Sequence, residues 1–367
     1  MTLDWWQLPG PNRYLRAAAQ ALRDGSHVVL YVPAHVRTDN LRASVQAVRT
    51  VPTWHALGVP NDTALAPVDR LFTRLVPNAP PTTLRNVRNL VGALAPQPRT
   101  VWLEGFHART WSAWCTMLME YAHASREIPV EQRTQMIVLL TGSLPPPVPD
   151  IALTVLPWHG YATELDLQLY AALQLPEQPI VGVKRRMVIA VLAALALWDP
   201  GVVDFFAQQS VQRILDPVPL LRQLATMRAW STSSDAECWS VGARLPFPQE
   251  LHTHSALLAL HDEHKIIGQR IWSGQISTLF PVLEATRRQL LDELHGIVDV
   301  PHMTGYESIT TREGLEFSHI KQQLHKHIHA GVPDARLRSQ LEKVNALKKM
   351  RDTLAHFQQL TADEIFF

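Results

Sequence analysis

HVVLYVP, residues 27–33, is a short run of apolar and β-branched residues that ends at Pro33. Such a run, closed by a proline, is typical of a buried strand in a parallel sheet. Three further runs have the same character: RTVWLEGF (99–106), TQMIVLLTGS (134–143) and IALTVLPW (151–158). Segments with apolar residues at helical spacing accompany them, at 12–24, 40–49 and 110–125. Strands alternating with helices predict an α/β domain whose parallel sheet is covered on both faces.

The chain changes character after about residue 178, because helical segments follow one another there without a strand between them. Helices are predicted at 184–198, 202–209 and 218–230, and then at 255–268, 269–295, 313–330 and 333–359. We therefore expect an α/β domain over residues 1–178, an all-α connector over 179–245 and a C-terminal four-helix bundle over 246–367.

The composition is that of a globular protein, with 46% hydrophobic and 18% charged residues in 367. A formal net charge of +1 argues against a grip on nucleic acid by the whole surface, but it leaves room for a local basic site. The two cysteines, Cys115 and Cys238, form no disulfide or metal pattern, which fits a reducing compartment. The N-terminal residues do not resemble a signal peptide, and the apolar run Met187–Trp198 is too short to cross a bilayer. We expect a cytoplasmic protein that does not contact the membrane.

A phosphate-binding loop is the feature to look for after the first strand of an α/β domain. The segment that follows it, AHVRTDNLR (34–42), has no glycine and no Lys-Ser/Thr pair, so it lacks the GxxxxGK[ST] cradle. In the second predicted run, the stretch VWLE ends in Glu104, where a magnesium-organising carboxylate would lie, although acids at strand ends are commonly solvated or cap the next helix. The order of these elements resembles a P-loop NTPase core of the AAA type, and the connector resembles its lid. On this resemblance the nucleotide site has been lost or depends on a loop of another kind, and we favour a degenerate, non-hydrolysing domain used for assembly.

The 17 histidines include two clusters that could hold a metal ion. The clusters contain the following residues: His252, His254, His261 and His264 in the first, and His319, His325, His327 and His329 in the second. Only His325 and His329 have the i,i+4 spacing of zinc ligands on a helix, and no HExxH motif or cysteine pair accompanies either cluster. Solvated or core-packed histidines explain the pattern better, so we predict neither a metal nor another cofactor.

Near the end of the chain, VNALKKMRDTLAHFQQL (344–360) carries an arginine, an acid and a histidine that together suit phosphodiester cleavage. His356 could transfer protons near neutral pH, Arg351 could contact a phosphate through two N–H groups, and Asp352 could orient either one. At about 100° per residue, Arg351 and His356 point about 140° apart on a regular helix. A site built from both therefore works best where two copies of the helix face each other. The alternative is an amphipathic helix with a surface arginine and histidine.

The sequence KKMRDTLAHFQQL at the end of a helical bundle resembles the HEPN superfamily, in which an arginine, a polar residue, a short spacer and a histidine form the signature. The resemblance covers roughly the last 120 residues and makes Arg351, Asp352 and His356 the catalytic candidates. It implies a dimeric, metal-independent endoribonuclease of a bacterial antiviral defence or toxin–antitoxin system, with a partner ATPase or antitoxin. Lys343, Lys348 and Lys349 would then contact RNA phosphates. Because other HEPN proteins have lost catalysis, a non-catalytic adaptor of a multi-protein defence complex is the alternative.

Overall fold

The structure is a computed structural model that describes residues 4–36, 38–48, 53–175, 181–231, 242–247, 250–304, 308–330 and 334–366. Arg37, Cys238 and parts of the predicted connector, 179–180 and 232–241, lie outside these residues. Within them, a five-stranded parallel sheet is followed by a mainly helical region. The predicted fold class is thereby confirmed.

The sheet has the strand order β2-β3-β4-β1-β5, so the first strand of the chain lies between the last two. The strands are β1 (His27–Val32), β2 (Trp54–Gly58), β3 (Thr100–Glu104), β4 (Gln135–Thr141) and β5 (Leu153–Pro157). The helices of this part are α1 (Pro9–Arg23), α2 (Leu41–Val48), α3 (Pro67–Leu75), α4 (Val87–Leu94), α5 (Ala108–Ser125) and α6 (Glu164–Gln174).

The apolar run of β1 is buried because both faces of the sheet are covered. Val28 and Leu30 point into a core that includes α1 and the helices after the sheet, whereas Val29 and Tyr31 point into a second core with α3, α4 and α5. Every residue of β1 is buried, which explains why the run lacks the polar alternation of a half-exposed strand.

The edge strand β2 was not predicted from the sequence. Trp54–Gly58 is short and contains alanine and glycine, which are depleted in strands. Pairing with β3 in parallel register, in which Gly58 lies opposite Glu104, holds it in the sheet. Helices α3 and α4 between β2 and β3 also went unpredicted.

The helical region begins with α7 (Gly182–Ala196), α8 (Pro200–Phe206), α9 (Val211–Leu215) and α10 (Val218–Met227). It continues with α11 (Ser255–Leu260), α12 (His264–Glu293), α13 (Phe317–Ala330), α14 (Ala335–Ala355) and α15 (Ala362–Phe366). Two short antiparallel pairs interrupt it, β6 (Arg244–Pro246) with β7 (Leu251–Thr253) and β8 (His302–Met303) with β9 (Ser308–Ile309).

The predicted helix boundary at 268/269 is wrong. The break lies at 261–263, where Asp262 has a left-handed φ of 57° that no helix interior accepts. Gly268, which suggested a helix end, lies inside α12, where a glycine weakens a helix without ending it. The last long helix is also shorter than predicted and ends at Ala355.

Helix α12 joins two cores. Its N-terminal part packs mainly against α7, and a Cβ placed on Gly274 would lie 2.6 Å from the main-chain nitrogen of Val191. Ile267 and Ile271 belong to the large core, whereas Leu290 near its other end belongs to a smaller core with α13 and α14. One 30-residue helix, which lies within the expected C-terminal part, thus contacts α7 of the expected connector and also packs with the C-terminal helices.

Candidate functional site

The end of α14 carries the predicted catalytic residues. Arg351 and Asp352 lie in its last turns, and His356 is the residue that ends the helix, with φ −93° and ψ 20°. Phe357 follows with a left-handed φ of 59°, and Gln358 donates its N–H to the carbonyl of Thr353 at 3.0 Å. The exposed side chain of His356 therefore stands at a helix terminus, and not along the helix as predicted.

Arg351 is held by two acids. Its Nη2 lies 3.1 Å from Oε2 of Glu316, just before α13, and its Nη1 lies 3.5 Å from Oδ1 of Asp352. About a third of the Arg351 side chain is exposed. The Nε of Arg351 is buried and has no hydrogen-bond partner among the described residues. Both Nη atoms of the guanidinium are thus paired with acids, whereas its Nε–H has no acceptor among the described residues.

Asp352 separates Arg351 from His356. Its second carboxylate oxygen accepts a hydrogen bond from Nζ of Lys348, one turn earlier on α14. Two surface cavities flank this ion pair, and both are lined by Lys348 and Asp352. Arg351 and Glu316 line one of them, whereas His356 lines the other. The structure therefore brings Arg351 and His356 to neighbouring cavities and does not place them in a common one.

The His356 cavity has a volume of about 410 Å³ and is lined by three lysines, Lys321, Lys348 and Lys349. Lys348 pairs with Asp352, and Lys349 lies 2.9 Å from Glu364. Lys321 comes from α13, so no spacing along α14 could have revealed it. Lys343, the third lysine predicted to contact phosphate, is exposed one turn away and lines neither cavity.

The chain around His356 is anchored to α12. Nε1 of Trp272 donates to the carbonyl of Leu354 at 2.7 Å, and the Trp272 ring lies against Phe357 with centroids 4.8 Å apart. The buried side chain of Gln275 bonds to the main chain of Leu360. The helix end and the segment after it are therefore fixed in position before any ligand binds.

Glu104, the residue predicted for a degenerate nucleotide site, already has protein partners. Its Oε2 accepts a hydrogen bond from Nε1 of Trp102 at 2.7 Å, and its Oε1 lies 3.6 Å from Nη1 of Arg42. A carboxylate that organises magnesium needs its oxygens free for the ion and its water shell. The contacts of Glu104 favour a structural role in this arrangement.

A buried charged cluster lies beyond the carboxyl end of β1. Oδ2 of Asp199 lies 2.6 Å from Nη2 of Arg228 and 2.9 Å from Nε2 of His254, and its Oδ1 accepts the N–H of Gly201 at the start of α8. Burial disfavours the Asp199 charge, but Arg228, His35 and the hydrogen bond from His254 outweigh burial and hold the pKa of this carboxyl well below its usual range. Asp199 is therefore a buried, fully paired anion.

His35, Asp199 and His254 lie close enough together to suggest a metal site, with ligand atoms within 4.8 Å of one another. The hydrogen bonds argue against one. Nδ1 of His254 accepts the N–H of Ala256 at 3.1 Å, so Nε2 carries the proton that it donates to Asp199. Burial lowers the pKa of His254 to about 3 and keeps the ring neutral. Both nitrogens of His254 are engaged, and Arg228 is paired with the carboxylate of Asp199. The cluster is therefore better described as a network of hydrogen bonds and an ion pair than as a metal site.

The sequence contained one signal for this cluster. Asp199-Pro200-Gly201 is a helix start, with an N-capping acid followed by a proline at the first helical position. The sequence alone could not show that His254, 55 residues away, would reach the same carboxylate. Of the second histidine cluster, His325 and His329 stack with ring centroids 6.1 Å apart.

No protein family and no curated protein matches the chain. One similar solved structure is a Signal Transduction ATPase with Numerous Domains (STAND) protein with a tetratricopeptide repeat sensor from Pyrococcus horikoshii, at 12% identity and a TM-score of 0.37. The match covers 92% of the present chain, which spans 57% of the length of that one. A likeness this weak says nothing about activity.

Among the described residues, no helix combines the length and the apolar content that crossing a membrane requires.

Proposed function

We propose that the C-terminal helical part is a HEPN-like, metal-independent endoribonuclease half-site that a second copy of the chain completes. The observation that carries the proposal is the placement of His356, exposed in a cavity lined by Lys321, Lys348 and Lys349. Lysine ammonium groups attract phosphate, and a histidine beside a bound phosphodiester can transfer the protons of strand cleavage. A cavity of about 410 Å³ has room for part of a nucleotide.

In the reaction assigned to the site, the 2′-hydroxyl oxygen of a ribose attacks the adjacent phosphorus. The P–O5′ bond breaks, and a 2′,3′-cyclic phosphate and a 5′-hydroxyl form. His356 would take the 2′-hydroxyl proton or supply one to the leaving 5′-oxygen, and histidine suits both roles. Arg351 would contact the negative charge that develops on the phosphate oxygens.

Pairing of two copies is part of the proposal because Arg351 and His356 open onto different cavities. A second helix end could supply the missing partner to each cavity. The buried, unpartnered Nε of Arg351 gives this residue one donor that could serve a ligand after a small side-chain movement. The partner chains expected from the HEPN resemblance, an ATPase or an antitoxin in a cytoplasmic defence complex, would then control when two copies meet.

A second candidate is a non-catalytic adaptor, which the ion pair between Arg351 and Glu316 favours. In this state the arginine is used to hold α14 against the start of α13. The N-terminal domain fits the same role, since the loop after β1 lacks the GK[ST] pair and Glu104 is bound by Trp102 and Arg42. Both parts would then serve as docking surfaces.

Incubation of the purified protein with total RNA in EDTA tests the proposal. The wild type should produce fragments with 2′,3′-cyclic phosphate ends, and His356→Ala and Arg351→Ala should each remove at least about 99% of the activity. His327→Ala is the matched control, because His327 is an exposed histidine of α13 that lines neither cavity. Specific activity should rise with protein concentration until dimers saturate. Absence of cleavage at concentrations where the protein is dimeric would favour the adaptor.

A further inference from the structure

The outer edge of the sheet is formed by β2, which pairs with β3 on one side only. Thr53 accepts a hydrogen bond from Thr100, and Val59 donates one to Glu104, so the polar main-chain groups of both face β3. These groups alternate in direction from one residue to the next along a strand. The N–H and C=O groups of Ala56 and Gly58 therefore point away from the sheet.

Nothing in the described part of the chain pairs with this edge, and Ala56 and Gly58 are small and exposed. A Cβ placed on Gly58 would have no atom within 4 Å. Ala56 and Gly58 also line a cavity of about 440 Å³ between β2 and α3. Among the described residues, no atom therefore covers Gly58, and Ala56 adds only a methyl group, so another main chain could approach these groups.

The cavity beside the edge combines an apolar wall with a cation. Leu65, which is 49% exposed, and Trp114 contribute apolar surface. Arg70 is already used, because it binds the carboxylate of Asp62 and the carbonyl of Leu65 and so fixes this wall. Arg74, one turn further along α3, lines the cavity, is exposed and has no ion pair with any described residue.

We propose that β2 binds an extended, acidic peptide segment of a partner protein as an additional strand. The segment would exchange main-chain hydrogen bonds with Ala56 and Gly58, place an apolar side chain against Leu65 and bring a carboxylate to Arg74. Main-chain pairing of this kind supplies affinity, and alternate side chains supply specificity.

The edge favours a strand over other ligands. Its free donors and acceptors repeat every second residue, which matches the spacing of a second strand and not that of a helix, whose own main chain is already paired. The positive charge of Arg74 selects an acidic sequence over a basic one. This surface is independent of the Arg351–His356 region, so the failure of one proposal leaves the other standing.

A blocked peptide of seven residues, Val-Thr-Glu-Thr-Val-Thr-Glu, provides the probe, because its valines and glutamates share one face of the strand, as Leu65 and Arg74 share one cavity. Titration calorimetry should show binding, and hydrogen exchange should show slower exchange at the amides of Ala56 and Gly58. The same peptide N-methylated at alternate residues lacks the paired N–H groups and should not bind. Ala56→Pro removes one outward N–H and leaves the β3 ladder intact, since residue 56 donates nothing to β3, so it should also abolish binding.

Arg74→Glu leaves the β2 main chain unchanged and reverses the charge beside it. It therefore tests the proposal independently of Ala56→Pro, which could fail to bind because it misfolds. It should weaken binding of the glutamate peptide about tenfold and strengthen binding of a lysine counterpart. Arg16→Glu, at an exposed position of α1, is the control and should change neither. Equal binding of the N-methylated peptide, protection away from β2, or no binding at millimolar peptide overturns the proposal. Self-association that Ala56→Pro abolishes, without peptide binding, assigns the edge to a second copy instead.

Discussion

The side-chain amide of Gln275 on α12 pairs with both polar main-chain groups of Leu360, 85 residues further along the chain. Nε2 of Gln275 donates to the Leu360 carbonyl at 2.8 Å, and Oε1 accepts the Leu360 N–H at 2.7 Å. Gln275 is fully buried, and Leu360 is 1% exposed. Because water cannot replace these bonds, the pair fixes the segment that follows His356 against α12.

Gln275→Leu should release this segment. The leucine has nearly the same volume but leaves the N–H and C=O of Leu360 buried without partners, at a cost of about 2–4 kcal/mol in the free energy of unfolding. Urea denaturation measures the loss, and hydrogen exchange should become faster at residues 357–360. Gln289→Leu, at an exposed position of the same helix, should change the free energy by less than about 0.5 kcal/mol. Similar values for the two variants would mean that the pair contributes no more than a surface contact.

Gly274→Ala should destabilise the contact between α12 and α7 by about 2 kcal/mol or more. The new methyl group would meet the main chain of Val191 at 2.6 Å, and two packed helices cannot separate there without losing other contacts. Gly268→Ala, in the same helix, has only a flexible side-chain atom of Gln359 at 3.6 Å. It should raise stability by about 0.5–1 kcal/mol, because alanine favours the helix. Thermal unfolding of both variants tests the contrast. A shift of the two Tm values in the same direction would contradict it.

Stability should fall as the pH is lowered from about 6.5 to about 4. Burial lowers the pKa values of both His27 and His254 to about 3. Between the ordinary value of 6.5 and 3, the unfolded chain binds protons that the folded chain refuses. Each histidine then contributes a loss of up to about 1.4 kcal/mol per pH unit. Asp199, whose folded-state pKa is depressed, adds to the loss once the pH falls below about 4.

His27→Gln separates this effect from general acid denaturation. His27 accepts the Met136 N–H at Nδ1 and contacts Oγ of Ser125 through Nε2, 2.9 Å away. A glutamine does not titrate, so the variant should take up about one proton fewer on unfolding. The slope of its unfolding free energy against pH, measured by urea denaturation at several pH values, should be smaller by the same amount. Parallel curves for variant and wild type would show that His27 is protonated in the folded protein as well.

Asp199→Ala should cost about 3–5 kcal/mol, because it leaves Arg228 as an unpaired charge of which 12% is exposed. The double variant Asp199→Leu with Arg228→Leu removes both charges, so its free energy of unfolding should fall by less than that of Asp199→Ala. Asp216→Ala, at an exposed acid, is the control and should stay within about 0.5 kcal/mol of the wild type. If the double variant loses as much as the sum of its single variants, the two charges do not act as a pair.

Glu316→Gln should free Arg351 for a phosphate. The two side chains of the pair are 31% and 46% exposed, so the free energy of unfolding should change by only about 1 kcal/mol. Under the proposed function, the affinity for single-stranded RNA, measured by fluorescence anisotropy, should rise and depend more steeply on salt. Glu313→Gln makes the same change of charge at a nearby exposed acid and isolates the effect of the released arginine. An equal rise in both variants would reflect net charge alone.

The α/β part of the fold could be predicted because its central strands are buried on both faces. His27–Val32 and Gln135–Thr141 need continuous apolar runs, and such runs are visible in one sequence. The edge strand Trp54–Gly58 escaped prediction, since partial exposure removes that requirement. Asp262, which ends α11 in a left-handed conformation, also resembles an ordinary solvated acid in the sequence.

The candidate site was predictable only where it follows one helix. Arg351, Asp352 and His356 share six residues of sequence, so their spacing is readable. The contribution of Lys321 depends on how α13 packs on α14, and the Glu316 contact depends on the approach to α13. Such juxtapositions arise from tertiary packing between distant segments. For the same reason, spacing alone could not show that His356 would end the helix.

The length of α12 lets a single helix contribute to two cores that lie far apart along its axis. At 1.5 Å per residue, its 30 residues extend about 45 Å, from the contact with α7 to the core shared with α13 and α14. Pro281 lies inside this span and cannot donate the main-chain hydrogen bond of a regular helical turn. The two ends of α12 can therefore shift relative to each other by bending at Pro281, without either core having to move with the other.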